Sequence, residues 1–122
     1  MFIDHIGLAV ADYERSKAFY QRCLAPLGMS LIVEIDGWAG FGRGDKADFW
    51  FGPDQVVAVP MHIAFHADSR AAVDAFYEAG LDAGGEDNGA PGLREIYHPD
   101  YYGAFLIDPD GHNIEAVCHT PV

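Results

Sequence analysis

Positive charge is scarce in this sequence of 122 residues, in which 7 lysines and arginines accompany 19 aspartates and glutamates, giving a formal net charge of −12 at pH 7. A surface with this imbalance repels phosphate backbones and anionic headgroups, which argues against binding to nucleic acid or to a membrane. An anionic substrate would have to meet one of the few cations, such as Arg43 or Arg94, or a metal ion. We therefore expect a small-molecule partner.

Cysteine is also sparse, because Cys23 and Cys118 are the only two in the chain. They match neither a zinc ribbon nor a disulfide-rich secreted scaffold, so we expect buried free thiols. No stretch approaches the roughly 18 apolar residues of a membrane-spanning helix, and the first residues lack the basic and apolar regions of a secretory signal. These absences predict a cytoplasmic protein.

The chain contains an internal repeat. Aligning His5 with His62 also aligns the Ala-Phe-Tyr run at residues 18–20 with the same run at residues 75–77. Half of the residues are hydrophobic and 13% are aromatic, which is typical of a globular chain of this length with one core. We therefore predict a single domain over residues 1–122 that is built from two copies of one supersecondary unit.

Each copy begins with an alternating strand, on which the histidine lies opposite the large apolar residues. A helix follows, which Asp12 or Ser69 caps at its start and glycine ends. Three further strands are predicted in each copy, at residues 29–36, 38–42 and 47–51 and again at residues 94–97, 101–107 and 112–118. The glycine-rich residues 84–93 show no regular pattern and are predicted to be irregular.

The resulting fold class is α+β, with two tandem βαβββ modules forming a curved, cup-like mixed sheet with the helices outside. Module 1 covers about residues 1–55 and module 2 about residues 58–122. In such a unit the strand faces away from the helix line one concave surface, where their side chains can converge.

Three residues on these faces could form a metal site. His5 and His62 occupy equivalent strand positions, and alternation in the last strand turns Glu115 inward. Two imidazoles and one carboxylate form a facial triad that leaves coordination positions open for water or a bidentate oxygen ligand. A buried carboxylate needs a partner, and histidines that act only as hydrogen-bond donors are the alternative to a divalent ion.

Four segments make the sequence recognisable: Asp-His-Ile-Gly-Leu at residues 4–8, Arg-Ser-Lys-Ala-Phe-Tyr at 15–20, His-Ile-Ala-Phe at 62–65 and Asp-Pro-Asp-Gly-His-Asn-Ile-Glu at 108–115. Over essentially the whole chain it resembles the vicinal oxygen chelate superfamily. That group includes glyoxalase I, fosfomycin-resistance thiol transferases, extradiol dioxygenases and bleomycin-resistance proteins. The four segments are specific for the superfamily but not for one reaction.

The resemblance implies that His5, His62 and Glu115 are metal ligands. In module 1 the position that corresponds to Glu115 is about Trp50, where glyoxalase I has a fourth ligand, a glutamate. Asp48 has the same strand parity as Trp50 and could substitute. The three-ligand pattern looks like that of fosfomycin-modifying enzymes and extradiol dioxygenases.

Other residues could surround the ion. Tyr101 or Tyr102 could donate a proton or stabilise an enolate, and either His66 or His119 could act as a general base near neutral pH. Five residues are predicted to line the substrate pocket. They supply aromatic rings, a cation for a substrate carboxylate or phosphate, and further polar groups: Trp50, Phe41, Arg43, Asp48 and His119. The alternatives are core packing or a dimer surface for the aromatic residues and simple surface exposure for Arg43.

The leading function is a glyoxalase-like, metal-dependent enzyme of lyase or isomerase type that chelates two adjacent oxygens of a small substrate. The ion would be Fe, Mn, Ni or Zn. An extradiol-type dioxygenase using Fe(II) and a metal-free, bleomycin-resistance-like binding protein are the alternatives. A homodimer is expected from the resemblance, and whether His5 joins His62 and Glu115 within one subunit or across two stays open.

Overall fold

A computed structural model describes residues 3–53 and 59–122 of the chain. The first half contains β1 (Ile6–Ala9), α1 (Tyr13–Leu24), a 3-10 turn (Ala25–Leu27), β2 (Ser30–Ile35), β3 (Trp38–Arg43) and β4 (Lys46–Gly52). The second half contains β5 (His62–His66), α2 (Arg70–Asp82), β6 (Glu86–Leu93), β7 (Tyr102–Ile107) and β8 (Asn113–Cys118). No helix among the described residues is long and apolar enough to span a bilayer.

The strands form two mixed sheets with the same connectivity, in the orders β1-β4-β3-β2 and β5-β8-β7-β6. In each sheet the first strand pairs in parallel with the last, and the other pairs are antiparallel. The predicted α+β class is confirmed. Gly7 lies opposite Trp50 and Ala64 opposite Glu115, so the registers make Trp50 the counterpart of Glu115 in the first sheet.

Both predicted helix caps are present. The side chain of Asp12 accepts a hydrogen bond from the backbone N–H of Arg15, and Oγ of Ser69 accepts one from the N–H of Ala72, each at 3.1 Å. These bonds satisfy amides that the first turn of a helix leaves without a partner. After α1 the chain makes a 3-10 turn and ends it at Gly28, whose φ of 79° favours glycine.

The prediction for residues 84–97 was wrong. The segment predicted to be irregular contains β6, and the predicted strand at residues 94–97 lies in turns. Among the described strands β6 is an edge strand that pairs only with β7, and its register shifts twice, between Asp87 and Gly89 and between Gly89 and Gly92. Such shifts destroy the two-residue alternation that reveals a strand in sequence, and glycine tolerates them.

The helix sides of both sheets share one hydrophobic core. α1 packs against α2, and the rings of Phe49 and Phe65 meet edge to face with their centroids 5.1 Å apart. Phe41, which was predicted to line a substrate pocket, is fully buried in this core and stacks on Phe51. Its side chain points to the helix side of β3, so it does not reach the opposite, open face.

Neither cysteine of the chain forms a disulfide bond. Cys23 and Cys118 are buried and unpaired, as predicted.

The hydroxyl of Tyr20 in α1 donates to Oδ2 of Asp108 at 2.5 Å, and both side chains are buried. Oδ1 of Asp108 also accepts from the N–H of His112 at 2.8 Å. This contact ties the first helix to the β7–β8 turn of the second half.

Candidate functional site

The carboxylate of Glu115 is the centre of a polar cluster on the open face of the second sheet. Its side chain is only 3% exposed, yet β8 turns it away from the helix side. Oε1 lies 3.0 Å from Nε2 of His62, and Oε2 accepts a hydrogen bond from the hydroxyl of Tyr101. The structure therefore brings together three of the predicted site residues.

The structure separates the two candidate tyrosines. The hydroxyl of Tyr102 donates to Oδ1 of Asp74 in α2 at 2.6 Å, so Tyr102 faces the helix and not the open face. Tyr101 reaches Glu115 over Gly103, where an added Cβ would lie 3.3 Å from Oε2 of Glu115. Burial, followed by the hydrogen bond to Glu115, raises the pKa of Tyr101 above its usual value, and the phenol stays neutral.

Two asparagines orient the imidazole of His62. Nδ2 of Asn113 lies 2.7 Å from Nδ1 of His62, and its Oδ1 accepts from Nδ2 of Asn88 at 3.2 Å. In this arrangement Asn113 donates, Nδ1 accepts, and Nε2 carries the proton that it shares with Glu115. Sequence reasoning missed this pair as functional, although alternation in β8 places Asn113 on the same face as Glu115.

Two further histidines, His98 and His119, flank Tyr101. Nε2 of His98 lies 2.8 Å from Nδ1 of His119, and both rings pack edge-on against the ring of Tyr101. The backbone N–H of Asp100 donates to Nδ1 of His98 at 3.1 Å, so Nε2 of His98 is the donor toward His119. No pattern in the sequence indicated His98, because it lies in a turn that shows no periodicity.

The remaining polar candidates lie around a different cavity, of about 370 Å³, which residues of the edge strands β1 and β5 line. His5, Arg43, Asp48 and His66 all line it. Nδ1 of His5 is 2.7 Å from Oδ1 of Asp4, which lies 2.8 Å from Nζ of Lys46.

Two further candidates on this cavity share one carboxylate. Nη1 of Arg43 and Nε2 of His66 approach Asp68 at 3.5 and 3.3 Å. Apart from Tyr102, the predicted polar site residues thus divide into two clusters, one on the second sheet and one between the sheets.

His5 does not join His62 and Glu115 within one chain. Over residues 3–53 and 59–122 there is no group of three or more histidines, cysteines, aspartates or glutamates placed to hold a metal ion. A single chain supplies the pair of His62 and Glu115, and the third predicted ligand is exposed on the other cavity.

Tryptophans replace the polar cluster on the open face of the first sheet. Trp50 stands where the second sheet has Glu115, and its Nε1 donates to the carbonyl of Ala47 at 3.3 Å. Trp38 packs over Gly7, and the two indoles line a cavity of about 650 Å³ that also includes His5. The position in the first sheet that corresponds to the Glu115 site is therefore aromatic.

Several solved structures share this fold. A glyoxalase/bleomycin resistance protein from Albidiferax ferrireducens T118 has a TM-score of 0.82 and 30% sequence identity over 94% of this chain and 97% of that chain. A glyoxalase/bleomycin resistance protein/dioxygenase family enzyme from Burkholderia phytofirmans PsJN has a TM-score of 0.73 at 19% identity, over 98% of this chain and 100% of that chain. A glyoxalase/dioxygenase from Nostoc punctiforme has a TM-score of 0.72 at 22% identity, over 98% and 92%. The last two likenesses show the fold alone.

A comparison with curated proteins finds no match. The family model described as Glyoxalase/Bleomycin resistance protein/Dioxygenase superfamily matches residues 2–116, which is nearly the whole chain. The A. ferrireducens structure agrees with it in both fold and sequence. The resemblance seen in the sequence is thereby confirmed, and this chain belongs to the glyoxalase/bleomycin resistance protein/dioxygenase superfamily.

Proposed function

We propose that this protein is a metal-dependent enzyme that binds a small substrate through two adjacent oxygen atoms, with His5, His62 and Glu115 as metal ligands. The observation that carries the proposal is the buried carboxylate of Glu115. Among the described residues no lysine or arginine pairs with it, and its partners are His62 and Tyr101. A buried carboxylate is costly without a strong positive partner, which a divalent ion supplies.

The donor atoms fit a divalent transition metal. Imidazole nitrogen and carboxylate oxygen suit Fe, Mn, Ni and Zn, and Nε2 of His62 and Oε1 of Glu115 already converge at 3.0 Å. The side chain of His62 is 50% exposed, so an ion can reach it. Ligation requires Nε2 without its proton, and Asn113 can accommodate the proton on Nδ1 by turning its amide oxygen toward the ring.

We propose that His5 comes from a second copy of the chain. One shared core occupies the helix sides of both sheets. Within a chain the two open faces therefore do not bring the three proposed metal ligands together. A two-fold dimer in which the first half of each copy packs against the second half of the other would bring His5 of one copy to His62 and Glu115 of the other. The proposed assembly is a homodimer with two shared sites.

The residues of the second sheet would then divide the remaining chemistry. When bound, the ion would act as a Lewis acid and stabilise negative charge on the substrate oxygens. Tyr101, held neutral by its raised pKa, can donate a hydrogen bond to a substrate oxygen. Nε2 of His119 carries the ring proton, since its Nδ1 accepts from His98, so His119 can donate a hydrogen bond to the substrate. His66 is the candidate base at the cavity with His5.

Mixing two inactive variants tests the shared site. His5→Ala and Glu115→Ala should each lose the bound metal, whereas refolding them together should restore about a quarter of the wild-type metal sites, because half of the dimers are mixed and each has one intact site. Refolding each variant alone is the control. If the mixture binds no more metal than the separate variants, His5 and Glu115 do not act across two copies.

Two other functions can be tested, one by the identity of the bound metal and the other by ligand binding at the tryptophan-lined cavity of the first sheet. An extradiol-type dioxygenase would use the same three ligands with Fe(II), so identification of the bound metal separates it from lyase or isomerase chemistry. A metal-free binding protein is favoured by the cavity that Trp38 and Trp50 line. Quenching of tryptophan fluorescence by a cationic aromatic compound in metal-stripped protein, lost in Trp50→Leu, would support that function.

A further inference from the structure

Arg94 places a guanidinium group beside the polar cluster of the second sheet. Its Cζ lies 5.4 Å from the centroid of the Phe105 ring, and Phe105 pairs with Glu115 across the β7–β8 ladder. Nη1 donates to the carbonyl of Gly92 at 2.9 Å, and Nη2 donates to the carbonyl of Ala90 at 2.8 Å. The group is therefore held in one orientation on this face.

The glycines of β6 leave the space that the guanidinium fills. A Cβ added at Gly89 would lie 3.2 Å from Nη2 of Arg94, and one added at Gly92 would lie 3.2 Å from Nη1. Gly89 also has a φ of 149°, a conformation that other residues rarely adopt. The irregular, glycine-rich strand is thus shaped around the Arg94 side chain.

The charge of Arg94 has no carboxylate partner among the described residues. Five of the other lysines and arginines do form such pairs, namely Lys17, Arg22, Arg43, Lys46 and Arg70. Acidic groups outnumber basic ones 19 to 7, so an unpaired cation on a structured face is unusual here. The two carbonyls use only two of the five N–H donors, and they do not neutralise the charge.

The guanidinium lies near the proposed chelating groups. The Phe105 ring lies near both groups. Its centroid is 6.2 Å from the ring centroid of His62 and 5.4 Å from Cζ of Arg94. Arg94 and His62 therefore both neighbour the Phe105 ring, and a ligand bound over this ring would meet the guanidinium and the His62–Glu115 pair.

We infer that Arg94 binds a carboxylate of the substrate, which makes the substrate a small organic acid that carries two adjacent oxygens and a separate carboxylate. The planar guanidinium matches a carboxylate in geometry and charge. The assignment of this carboxylate to the chelated substrate rests on the proposed function. Recognition of the anion itself does not require the metal.

The test compares benzoate with benzamide, which have nearly the same shape and differ in charge, on metal-stripped full-length protein by calorimetry or NMR titration. We expect the wild type to prefer benzoate, and Arg94→Met to reduce benzoate affinity about tenfold, or about 1.4 kcal/mol, without changing benzamide affinity. Arg15→Met, which removes an exposed cation from α1, is the matched control and should leave both affinities unchanged.

The wild type alone provides a second readout, because Arg94→Met could disturb β6. Benzoate should shift the Nε–Hε NMR signal of Arg94, assigned from its absence in Arg94→Lys, and benzamide should not. Equal affinity for the two probes, no binding of either, or an unchanged preference in Arg94→Met would overturn the inference. A benzoate preference in a protein that binds no metal would uphold Arg94 as an anion site while refuting the proposed metal-dependent function.

Discussion

The clamp between Tyr20 and Asp108 gives a quantitative prediction for stability. Tyr20→Phe removes the hydroxyl that donates to Oδ2 of Asp108 at 2.5 Å in a site where both side chains are buried. A hydrogen bond to a charged group contributes about 1.5–3 kcal/mol, and its loss leaves a buried carboxylate oxygen without this donor. The ring itself stays packed against Phe19, Phe49 and Phe51. We expect the free energy of unfolding to fall by about 2 kcal/mol.

Urea denaturation measures this loss. The slope of the unfolding free energy against urea should not change, because the surface exposed on unfolding is nearly the same. Tyr77→Phe is the matched control, since its hydroxyl donates to Oδ1 of Asp87 at 2.9 Å at the surface. That variant should lose less than about 0.5 kcal/mol. An equally small loss in Tyr20→Phe would refute the reasoning that the buried clamp joins the two halves of the chain.

Three further predictions concern buried groups. Glu115→Gln should lower the pH at which Tyr101 ionises, read from tyrosinate absorbance, although burial should keep that pKa above its usual value. In the wild type the stabilisation from this neutral phenol is present below about pH 10 and is lost as pH rises through the raised pKa. Gly80→Ala should destabilise the fold by about 1–3 kcal/mol in denaturation, since its Cβ would overlap Leu106. Burial raises the pKa of the Cys23 thiol, so it should react with a thiol reagent only at the rate of unfolding.

The sequence predicted most of the fold because its signals are local. Asp12 and Ser69 mark helix starts by the chemistry of their own side chains, and alternation in β5 and β8 fixed which face holds His62 and Glu115. β6 was missed because its register shifts remove alternation, and pairing with β7 compensates for its glycines. That pairing is a long-range contact, which no local pattern contains.

The candidate site was predictable only in part. The sequence could not choose between Tyr101 and Tyr102, because the choice depends on the register of β7 against β8. It placed Phe41 at a pocket wall, whereas the parity of β3 buries that ring in the core. The contact of His98 with His119 depends on how a turn folds back over the sheet.

Metal content is the measurement that tests the central claim most directly. Protein purified without a metal-binding tag should contain close to one divalent ion per chain by elemental analysis. His5→Ala, His62→Ala and Glu115→Ala should each lose it, while the control His66→Ala should retain it. The absence of metal in the wild type after reconstitution with Fe, Mn, Ni and Zn, or its retention in the three ligand variants, would contradict the account.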